Sequence, residues 1–393
     1  MKKPNSFLDL GLADTTPHPL NIEVESACGV WINTKCGKRL FDAISGIGVS
    51  NFGHSNPAIT NILHEQIDKS LHTMVYGEFI NGTTVEAASH LRTFMPNNLD
   101  TTYFTNSGAE AIEGAIKLAK KCTGRSKIIS CNGGYHGNTI GALSVSSNEE
   151  RKKPFIPLLP NVEFITFDCL ESLTKIDTNT ACVIIETIQG DAGVRIPSID
   201  WMKKLREVCN DNGTLLVFDE VQCGMGRTGK AFAFEHFNVF PDILCLGKAL
   251  GGGLPIGAFV SSRELMKELS HSPKLSHITT FGGHPLPSAG AVGALGLLKT
   301  ISWDRVEKQG IMWENRLKEH TAVECIRRKG LFMCVELKSD KEVYKTVNKG
   351  IEVGVLMFWF LSLPNAFRLS PPLTMTDIEA ERGIELILES LPL

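Results

Sequence analysis

The sequence predicts an α/β fold, in which a large domain with a mostly parallel sheet flanked by helices carries a smaller α+β domain. Three observations support this prediction. The 393 residues exceed the length at which a single core usually stops growing. From about Asn51 to Leu298, short apolar strands alternate with amphipathic helical stretches, which is typical of parallel sheets. From about Lys299 the pattern changes to a charged helix, one strand and a final amphipathic helix.

These patterns divide the chain into three predicted regions. Residues 1–50 form an N-terminal segment with strands near Val30–Ile32 and Arg39–Phe41, and this segment is expected to pack with the small domain. Residues 51–298 form the large domain, and residues 299–393 form the small domain with a strand at Phe332–Leu337. The predicted strands of the large domain are Tyr103–Thr105, Lys127–Ile129, Val162–Phe167, Cys182–Ile185, Leu215–Phe218 and Ile243–Leu246.

Composition excludes several classes of function. A formal net charge of −3 provides no broad positive field for nucleic acid or an anionic membrane. The eleven cysteines include no C-x-x-C pair, so zinc fingers and a disulfide framework are both disfavoured and no metal is expected. The opening residues Met1–Asn5 turn polar at once, which predicts no signal peptide. We therefore expect a cytoplasmic protein.

A glycine turn follows the first predicted strand of the large domain. Ser107, Gly108 and Ala109 lead directly into a helical stretch, so free backbone N–H groups and the positive end of a helix dipole meet there. Such a turn suits a phosphate group. The alternative is an ordinary helix start, in which Ser107 and Glu110 form a capping box. On this turn alone the two interpretations are equally supported.

Other strands end in side chains with distinct chemistry. The strand at Lys127–Ile129 leads to Tyr135 among glycines, which could stack on a planar ring or could simply be a core tyrosine. Leu215–Phe218 ends in Asp219, a carboxylate that needs a cationic partner at the mouth of an apolar strand, such as a pyridinium nitrogen. The alternative for Asp219 is a cap on the following turn.

Lys248 follows the last predicted strand and precedes three glycines. Desolvation there would lower the pKa of its amine and favour a Schiff base with a carbonyl group, whereas an isolated lysine would more often reach out to solvent. Together, the phosphate turn, stacking aromatic, ring-nitrogen aspartate and Schiff-base lysine are the contacts that pyridoxal 5'-phosphate needs. A nucleotide is less favoured, because neither G-x-G-x-x-G after the first strand nor a Walker motif is evident.

Around these residues the chain resembles the class III aminotransferases of fold type I, a family that includes ornithine, acetylornithine and 4-aminobutyrate aminotransferases. The resemblance covers nearly the whole chain. It is carried by the motifs Gly37–Asp42, Ser45–Val49, Asn106–Ala111, Tyr135–Gly137, Ile185–Gly190, Phe218–Gly229, Leu246–Gly253, Thr279–Gly283 and Arg368–Leu373.

The resemblance implies a role for each site residue. Lys248 would form the Schiff base and then move the proton, and Asp219 would hold the ring nitrogen. Thr280 would reach the cofactor phosphate of a partner subunit, which implies a homodimer. The other residues implied at the cofactor are Ser107, Gly108 and Ala109 at the phosphate, Tyr135 and His136 at the aromatic motif, Glu186 near the ring hydroxyl, and Val221 and Gln222 along the ring.

The substrate residues depart from the family pattern. Asn138 stands where the ornithine and acetylornithine branch usually has an arginine for a carboxylate. Asp191 replaces a glutamate that in ornithine-like members covers the arginine matching Arg368, and its shorter side chain leaves this contact open. Arg368 is the candidate for binding a substrate carboxylate, with a structural ion pair as the alternative, and Thr279 is a further substrate candidate beside Thr280. Arg195 could replace the missing arginine or could be a solvated surface charge.

The sequence thus predicts an aminotransferase with ping-pong chemistry. An amino donor, expected to carry an ω-amino group as in amino acids or diamines, passes nitrogen to the cofactor, and a 2-oxo acid such as 2-oxoglutarate then takes it. A related aminomutase, racemase or decarboxylase, or a non-catalytic cofactor-binding protein, stays open as an alternative. The sequence does not identify the amino donor.

Overall fold

The computed structural model describes residues 11–16, 19–75 and 77–392, so the predicted polar start Met1–Asn5 lies outside the described residues. The strands are β1 (Val24–Cys28), β2 (Trp31–Thr34), β3 (Arg39–Asp42), β4 (Thr101–Thr105), β5 (Lys127–Cys131), β6 (Val162–Ile165), β7 (Thr180–Glu186), β8 (Leu215–Asp219), β9 (Ile243–Leu246), β10 (Gly257–Ser261), β11 (Cys325–Lys329), β12 (Phe332–Glu336), β13 (Val355–Leu356), β14 (Phe358–Trp359) and β15 (Ala366–Leu369).

The helices connect these strands and cover the sheets. They are α1 (Ser45–Gly48), α2 (Pro57–Lys69), α3 (Gly82–Arg92), α4 (Gly108–Thr123), α5 (Ile140–Val145), α6 (Glu149–Lys152), α7 (Ile199–Asn212), α8 (Arg263–Lys267), α9 (Pro285–Leu298), α10 (Trp303–Lys318), α11 (Asp340–Val353) and α12 (Asp377–Ser390). Within the described ranges, no helix combines the length and apolar character that crossing a bilayer requires.

The central sheet has seven strands in the order β4-β10-β9-β8-β7-β5-β6. All neighbouring pairs from β9 to β6 are parallel, and β10 is antiparallel to both of its neighbours. The predicted mostly parallel sheet flanked by helices is therefore confirmed, and each predicted strand of this region appears within a few residues of its expected bounds. β7 is buried along its whole length, which explains its continuous apolar run.

The strand β10 is not among the strands expected from the sequence. Its five residues begin with a glycine and follow Gly251–Gly253 and Pro255, a composition typical of a loop. In the structure it pairs with β4 from Gly257 to Ser261 and with β9 from Ala258 to Ser261. Pairing on both edges, rather than local propensity, makes this segment a strand.

Helix α4 illustrates why the helices lie where they do. Ser107 caps its start, because the Ser107 hydroxyl accepts from the Glu110 amide at 3.2 Å, and Gly124 ends it in the left-handed conformation at φ 67°. Its buried residues recur at helical spacing (Ala111, Ile112, Ala115, Ile116, Leu118 and Ala119). This face contacts β10 and β9, so the sheet fixes the start of the helix near the strand ends.

Two smaller sheets form the rest of the protein. β11, β12, β15 and β14 make an antiparallel sheet, and β1, β2, β3 and β13 make the other. β13 pairs in parallel with β3, so a C-terminal strand completes the N-terminal sheet. The Ser370 amide also donates to the Ala43 carbonyl at 2.7 Å. The region boundaries at residues 50 and 298 stay a prediction.

Candidate active site

The carboxyl ends of five sheet strands meet along one edge. β4 ends at Thr105, β5 at Cys131, β7 at Glu186, β8 at Asp219 and β9 at Leu246. Because parallel strands present their carboxyl ends together, the residues that follow them converge. They enclose a cavity of about 480 Å³, which is lined by Gly108, Ala109, Tyr135, His136, Gly137, Asn138, Thr139, Glu186, Asp219, Val221, Gln222 and Lys248.

Lys248 supplies the amine of this cavity. It has a backbone φ of 45°, an unusual conformation for a residue with a side chain, and such strain is commonly stored at functional sites. Burial lowers the pKa of the Lys248 amine, and the positive charge of Arg368 lowers it further, whereas Asp219 and Glu186 oppose the shift. The structure thus favours more neutral amine at Lys248 than a surface lysine would have.

Asp219 lies at the mouth of β8 and is held from two sides. Its Oδ1 accepts from the Val221 amide at 2.9 Å, and its Oδ2 lies 2.7 Å from Nδ1 of His136, which donates to the carboxylate. Burial disfavours the charged imidazole of His136, but its hydrogen bond to Asp219 and the negative charges of Asp219 and Glu186 together outweigh burial and raise the pKa of His136. These two hydrogen bonds therefore fix the position of the Asp219 carboxylate in the cavity.

The start of α4 is the turn at which the sequence predicts a phosphate site. Ser107 acts as the helix cap, and the first-turn amides of Gly108 and Ala109 have no acceptor within the helix. The predicted capping box is only half formed, because the Glu110 carboxylate accepts from the backbone and side-chain amides of Asn106 at 2.7 and 2.8 Å and not from the Ser107 amide. A Cβ on Gly108 would lie 2.7 Å from Val221 Cγ1, so glycine is what allows these two segments to approach each other.

Tyr135 and Glu186 both line the cavity and are joined by a hydrogen bond. The Tyr135 amide donates to Oε1 of Glu186 at 3.0 Å, and the Gly190 amide donates to Oε2 at 2.8 Å. The side-chain Nδ2 of Asn138 donates to the Tyr135 hydroxyl at 3.2 Å. Gly137 and Thr139 also line the cavity although the sequence did not single them out, because a lining role for such small residues has no local signal.

Arg368 and Asp191 contact each other, although the side chain of aspartate is shorter than that of the glutamate found in ornithine-like members. Arg368 Nη2 lies 3.2 Å from Asp191 Oδ1, and each residue is only 4% exposed. The guanidinium lies over the Phe360 ring at 4.6 Å, and its Nε has no partner among the described residues. Arg368 is therefore an ion-pair partner that retains an unused donor.

The residues that line the cavity do not include Ser107, Asp191, Arg368, Thr279, Thr280 or Arg195. Thr279 accepts from the Gly282 amide at 2.5 Å, and Thr280 is exposed on the same segment. Arg195 is half-buried, with its guanidinium over the Phe167 ring at 5.3 Å, and it does not line the cavity. The predicted role of Thr280 at the phosphate of a partner subunit stays a prediction.

The residues present fit pyridoxal 5'-phosphate. The cavity combines a reactive amine, a fixed carboxylate and free amides at a helix start. The side-chain nitrogen of Gln222 is buried without a partner among the described residues, as expected of a group that binds a ligand. This donor set matches an aldehyde, a ring nitrogen, a ring hydroxyl and a phosphate.

Glu186 gives the site a measurable pH dependence. Burial raises its pKa to about 7, with His136 opposing and Asp219 adding to the shift, against 4.5 for an ordinary carboxyl. Since the folded protein holds this proton more tightly than the unfolded chain, the resulting stability is full below pH 4.5 and is lost as pH rises through about 7. The melting temperature of Glu186→Gln should therefore fall less than that of the wild type between about pH 5 and about pH 8.

Differential scanning fluorimetry across this range, at equal cofactor loading, checks the expectation. The exposed carboxyl of Glu324 is the matched control, and Glu324→Gln should keep the wild-type pH slope. Identical slopes for Glu186→Gln and the wild type would contradict the assigned protonation.

Comparisons with known proteins show which family the chain belongs to. The family model for class III aminotransferases matches residues 13–391. The chain is 37% identical over 376 residues to the acetylornithine aminotransferase of Methanopyrus kandleri, covering 95% of this chain and 94% of that protein. The ornithine aminotransferase of Toxoplasma gondii superimposes with a TM-score of 0.90 at 31% identity, covering 98% of this chain and 92% of that one.

A third similarity concerns the cofactor-bound state. An amine transaminase from an uncultivated Pseudomonas species, solved in its pyridoxal-phosphate-bound form, superimposes with a TM-score of 0.87 at 25% identity, covering 97% of this chain and 99% of that one. Matches of this extent establish the family. The chain belongs to the class III aminotransferases of fold type I, and its cofactor is pyridoxal 5'-phosphate.

Proposed function

We propose that this aminotransferase moves an amino group, in particular the ω-amino group of an amino acid or diamine-like donor, to a 2-oxo acid such as 2-oxoglutarate. The two substrates bind in turn in a ping-pong cycle that uses Lys248. The observation that carries the proposal is the cavity that contains both Lys248 and Asp219. Buried Arg368 lies close enough to Lys248 for its positive charge to lower the pKa of the lysine amine. Two relatives named for ornithine and acetylornithine support the donor class.

The cavity residues would divide the work of holding the cofactor. The amides of Gly108 and Ala109 would bind the phosphate, and Tyr135 would flank the ring. Asp219, fixed by His136 and the Val221 amide, would face the ring nitrogen. When bound, pyridoxal phosphate supplies an electron sink. The Lys248 amine would then move a proton between the amine-bearing carbon of the substrate and the cofactor.

Arg368 would bind the carboxylate of both substrates. Its free Nε and planar guanidinium suit a carboxylate, and its burial strengthens the interaction. Asn138, which donates to the Tyr135 hydroxyl, has no charge with which to bind a second carboxylate. We therefore propose one carboxylate site that serves the donor and the acceptor in turn.

A half-reaction screen tests the proposed function. The holoenzyme is mixed with single diamines, ω-amino acids and acylated ornithines, and loss of the visible cofactor absorbance is recorded for each. We expect at least one ω-amino compound to bleach the absorbance and 2-oxoglutarate to restore it in equal amount. Conversion of an amine without stoichiometric consumption of a 2-oxo acid would indicate an aminomutase, racemase or decarboxylase instead.

Arg368→Lys should raise the KM for 2-oxoglutarate by roughly tenfold or more, because lysine keeps a charge opposite Asp191 but lacks the planar fork of donors. The half-reaction with a donor that has no carboxylate should change much less. Steady-state kinetics check both, with the exposed Arg382→Lys as the matched control. An unchanged KM in Arg368→Lys would remove Arg368 from the carboxylate site.

A homodimer is the assembly that we propose. Large apolar side chains lie exposed around Thr280: Ile278 is 47% and Phe281 53% exposed, and Phe79 and Ile80 are 58% and 92% exposed. Beside them lies a groove of about 750 Å³, and a patch of this kind is typical of a protein–protein interface. In such a dimer Thr280 would contact the phosphate of the partner's cofactor. Sedimentation equilibrium should give twice the mass of one chain, and a monomer at micromolar concentration would contradict the assembly.

We also place the enzyme in the cytoplasm. All eleven cysteines are free thiols in the structure, and five of them are at least partly accessible (Cys28, Cys36, Cys122, Cys169 and Cys325). Free thiols in this number persist most readily in a reducing compartment.

A further inference from the structure

The loop at Leu361 and Ser362 holds Asp191 by neutral hydrogen bonds. The Ser362 hydroxyl donates to Asp191 Oδ2 at 2.7 Å, and the Leu361 amide donates to Oδ1 at 3.1 Å. The contact of Oδ1 with Arg368 Nη2 is the longest of the three, at 3.2 Å. The carboxylate is therefore bound most closely by the serine and least closely by the arginine.

An aspartate and an arginine that are free to turn would form a closer contact with each other than Asp191 and Arg368 do. A carboxylate and a guanidinium that can turn freely tend to form two parallel hydrogen bonds of about 2.7–2.9 Å. Here only one oxygen of Asp191 contacts Arg368, because the other is taken by Ser362. Ser362 thus prevents the paired arrangement that would occupy the donors of Arg368.

Both loops are fixed by other contacts as well. The Gly193 carbonyl accepts from Arg327 Nε at 2.5 Å, which anchors the segment that carries Asp191. A Cβ on Gly193 would lie 2.5 Å from Leu363 Cδ2, so this segment packs closely against the loop that carries Ser362. Asp191 is consequently held between two packed segments.

The guanidinium of Arg368 therefore keeps donors that Asp191 does not occupy. Its Nε is buried without a partner among the described residues, and the Phe360 ring covers one face of the guanidinium. Nη2 has a second hydrogen beyond the one directed at Asp191. Nε and Nη2 can therefore both donate to a carboxylate while Asp191 stays in place.

We propose that Ser362 is a positioning residue, which holds Asp191 in single-point contact with Arg368 so that a substrate carboxylate binds the free Nε edge without displacing Asp191. This inference rests on the proposed function, since it requires that Arg368 bind a substrate carboxylate. Without the Ser362 hydroxyl, Asp191 would turn both oxygens toward Arg368 and compete with the substrate.

Binding of glutarate, an unreactive dicarboxylate, tests the proposal on the holoenzyme. Isothermal titration calorimetry measures the Kd for the wild type, Ser362→Ala, Ser362→Thr, Asp191→Asn and the Asp191→Asn/Ser362→Ala double variant. Ser362→Ala should weaken glutarate about fivefold, the effect of losing one ordinary hydrogen bond, and Ser362→Thr should restore the affinity. In the Asp191→Asn background, Ser362→Ala should have no further effect, because the serine acts through Asp191.

Three results would overturn the proposal: an unchanged Kd in Ser362→Ala, equal weakening in both backgrounds, or no rescue by threonine with melting temperatures preserved. Arg368→Lys separates the two claims. If Arg368→Lys weakens glutarate while Ser362→Ala does not, the carboxylate site stands and the role of Ser362 fails. If neither changes the Kd, or the wild type does not bind glutarate, both claims fail.

Discussion

Lys248→Ala should lower kcat by roughly 10³-fold or more, because it removes both the covalent anchor and the proton-transfer group of the cavity. Among the described residues that line the cavity, Lys248 is the one lysine. Its burial and the nearby charge of Arg368 lower the pKa of its amine, which prepares it for attack on a carbonyl. The substitution introduces no steric clash, because the methyl group of alanine fits within the space of the original lysine side chain.

Steady-state turnover and thermal melting measure this effect together. The exposed lysine Lys338 is the matched control, and Lys338→Ala should keep both kcat and melting temperature. The Lys248→Ala protein should melt cooperatively at nearly the wild-type temperature. Appreciable turnover in a well-folded Lys248→Ala protein would refute the assignment.

Asp219→Asn should lower kcat by roughly 10²- to 10³-fold, because breaking a buried charge interaction typically costs about 3–5 kcal/mol. The amide keeps the size of the side chain and can still form one hydrogen bond to His136 or to the Val221 amide. What it loses is the negative charge at the base of the cavity. The pyridoxal ring would then bind without its charged partner, so its affinity should fall as well.

Kinetics at saturating pyridoxal phosphate separate the loss of cofactor affinity from the loss of the carboxylate charge. Added cofactor restores the occupancy of the site but does not restore the charge at residue 219. Asp211→Asn, at an exposed aspartate, should behave as the wild type. If excess cofactor restores the full kcat of Asp219→Asn, the carboxylate serves affinity alone and our account of its role is wrong.

The sequence could predict most of the cofactor cavity because each residue lies just after an apolar strand. Runs such as Leu215–Phe218 predict buried strands, and parallel strands bring their carboxyl ends to one edge. Asp219 and Lys248 therefore meet although 29 positions separate them in the sequence. No contact had to be known in advance to expect this convergence.

The substrate side could not be predicted in the same way. Asp191 and Ser362 are 171 residues apart, and their hydrogen bond joins two loops that no strand periodicity orients. In the sequence, neither Ser362 nor the aromatic Phe360 carries a pattern that predicts an interaction at Arg368. The position of β10 likewise depends on its two neighbours and not on its own composition. Contacts between loops thus decide the substrate side, which the residues at the strand ends leave open.

The most direct test of this account is to identify the lysine that holds the cofactor. Borohydride reduction of the holoenzyme makes the covalent link permanent, and peptide mass spectrometry then locates the added mass. We predict that the mass lies on Lys248 in the wild type and that Lys248→Ala carries none at any lysine. Stable labelling of a different lysine in the wild type would contradict the site.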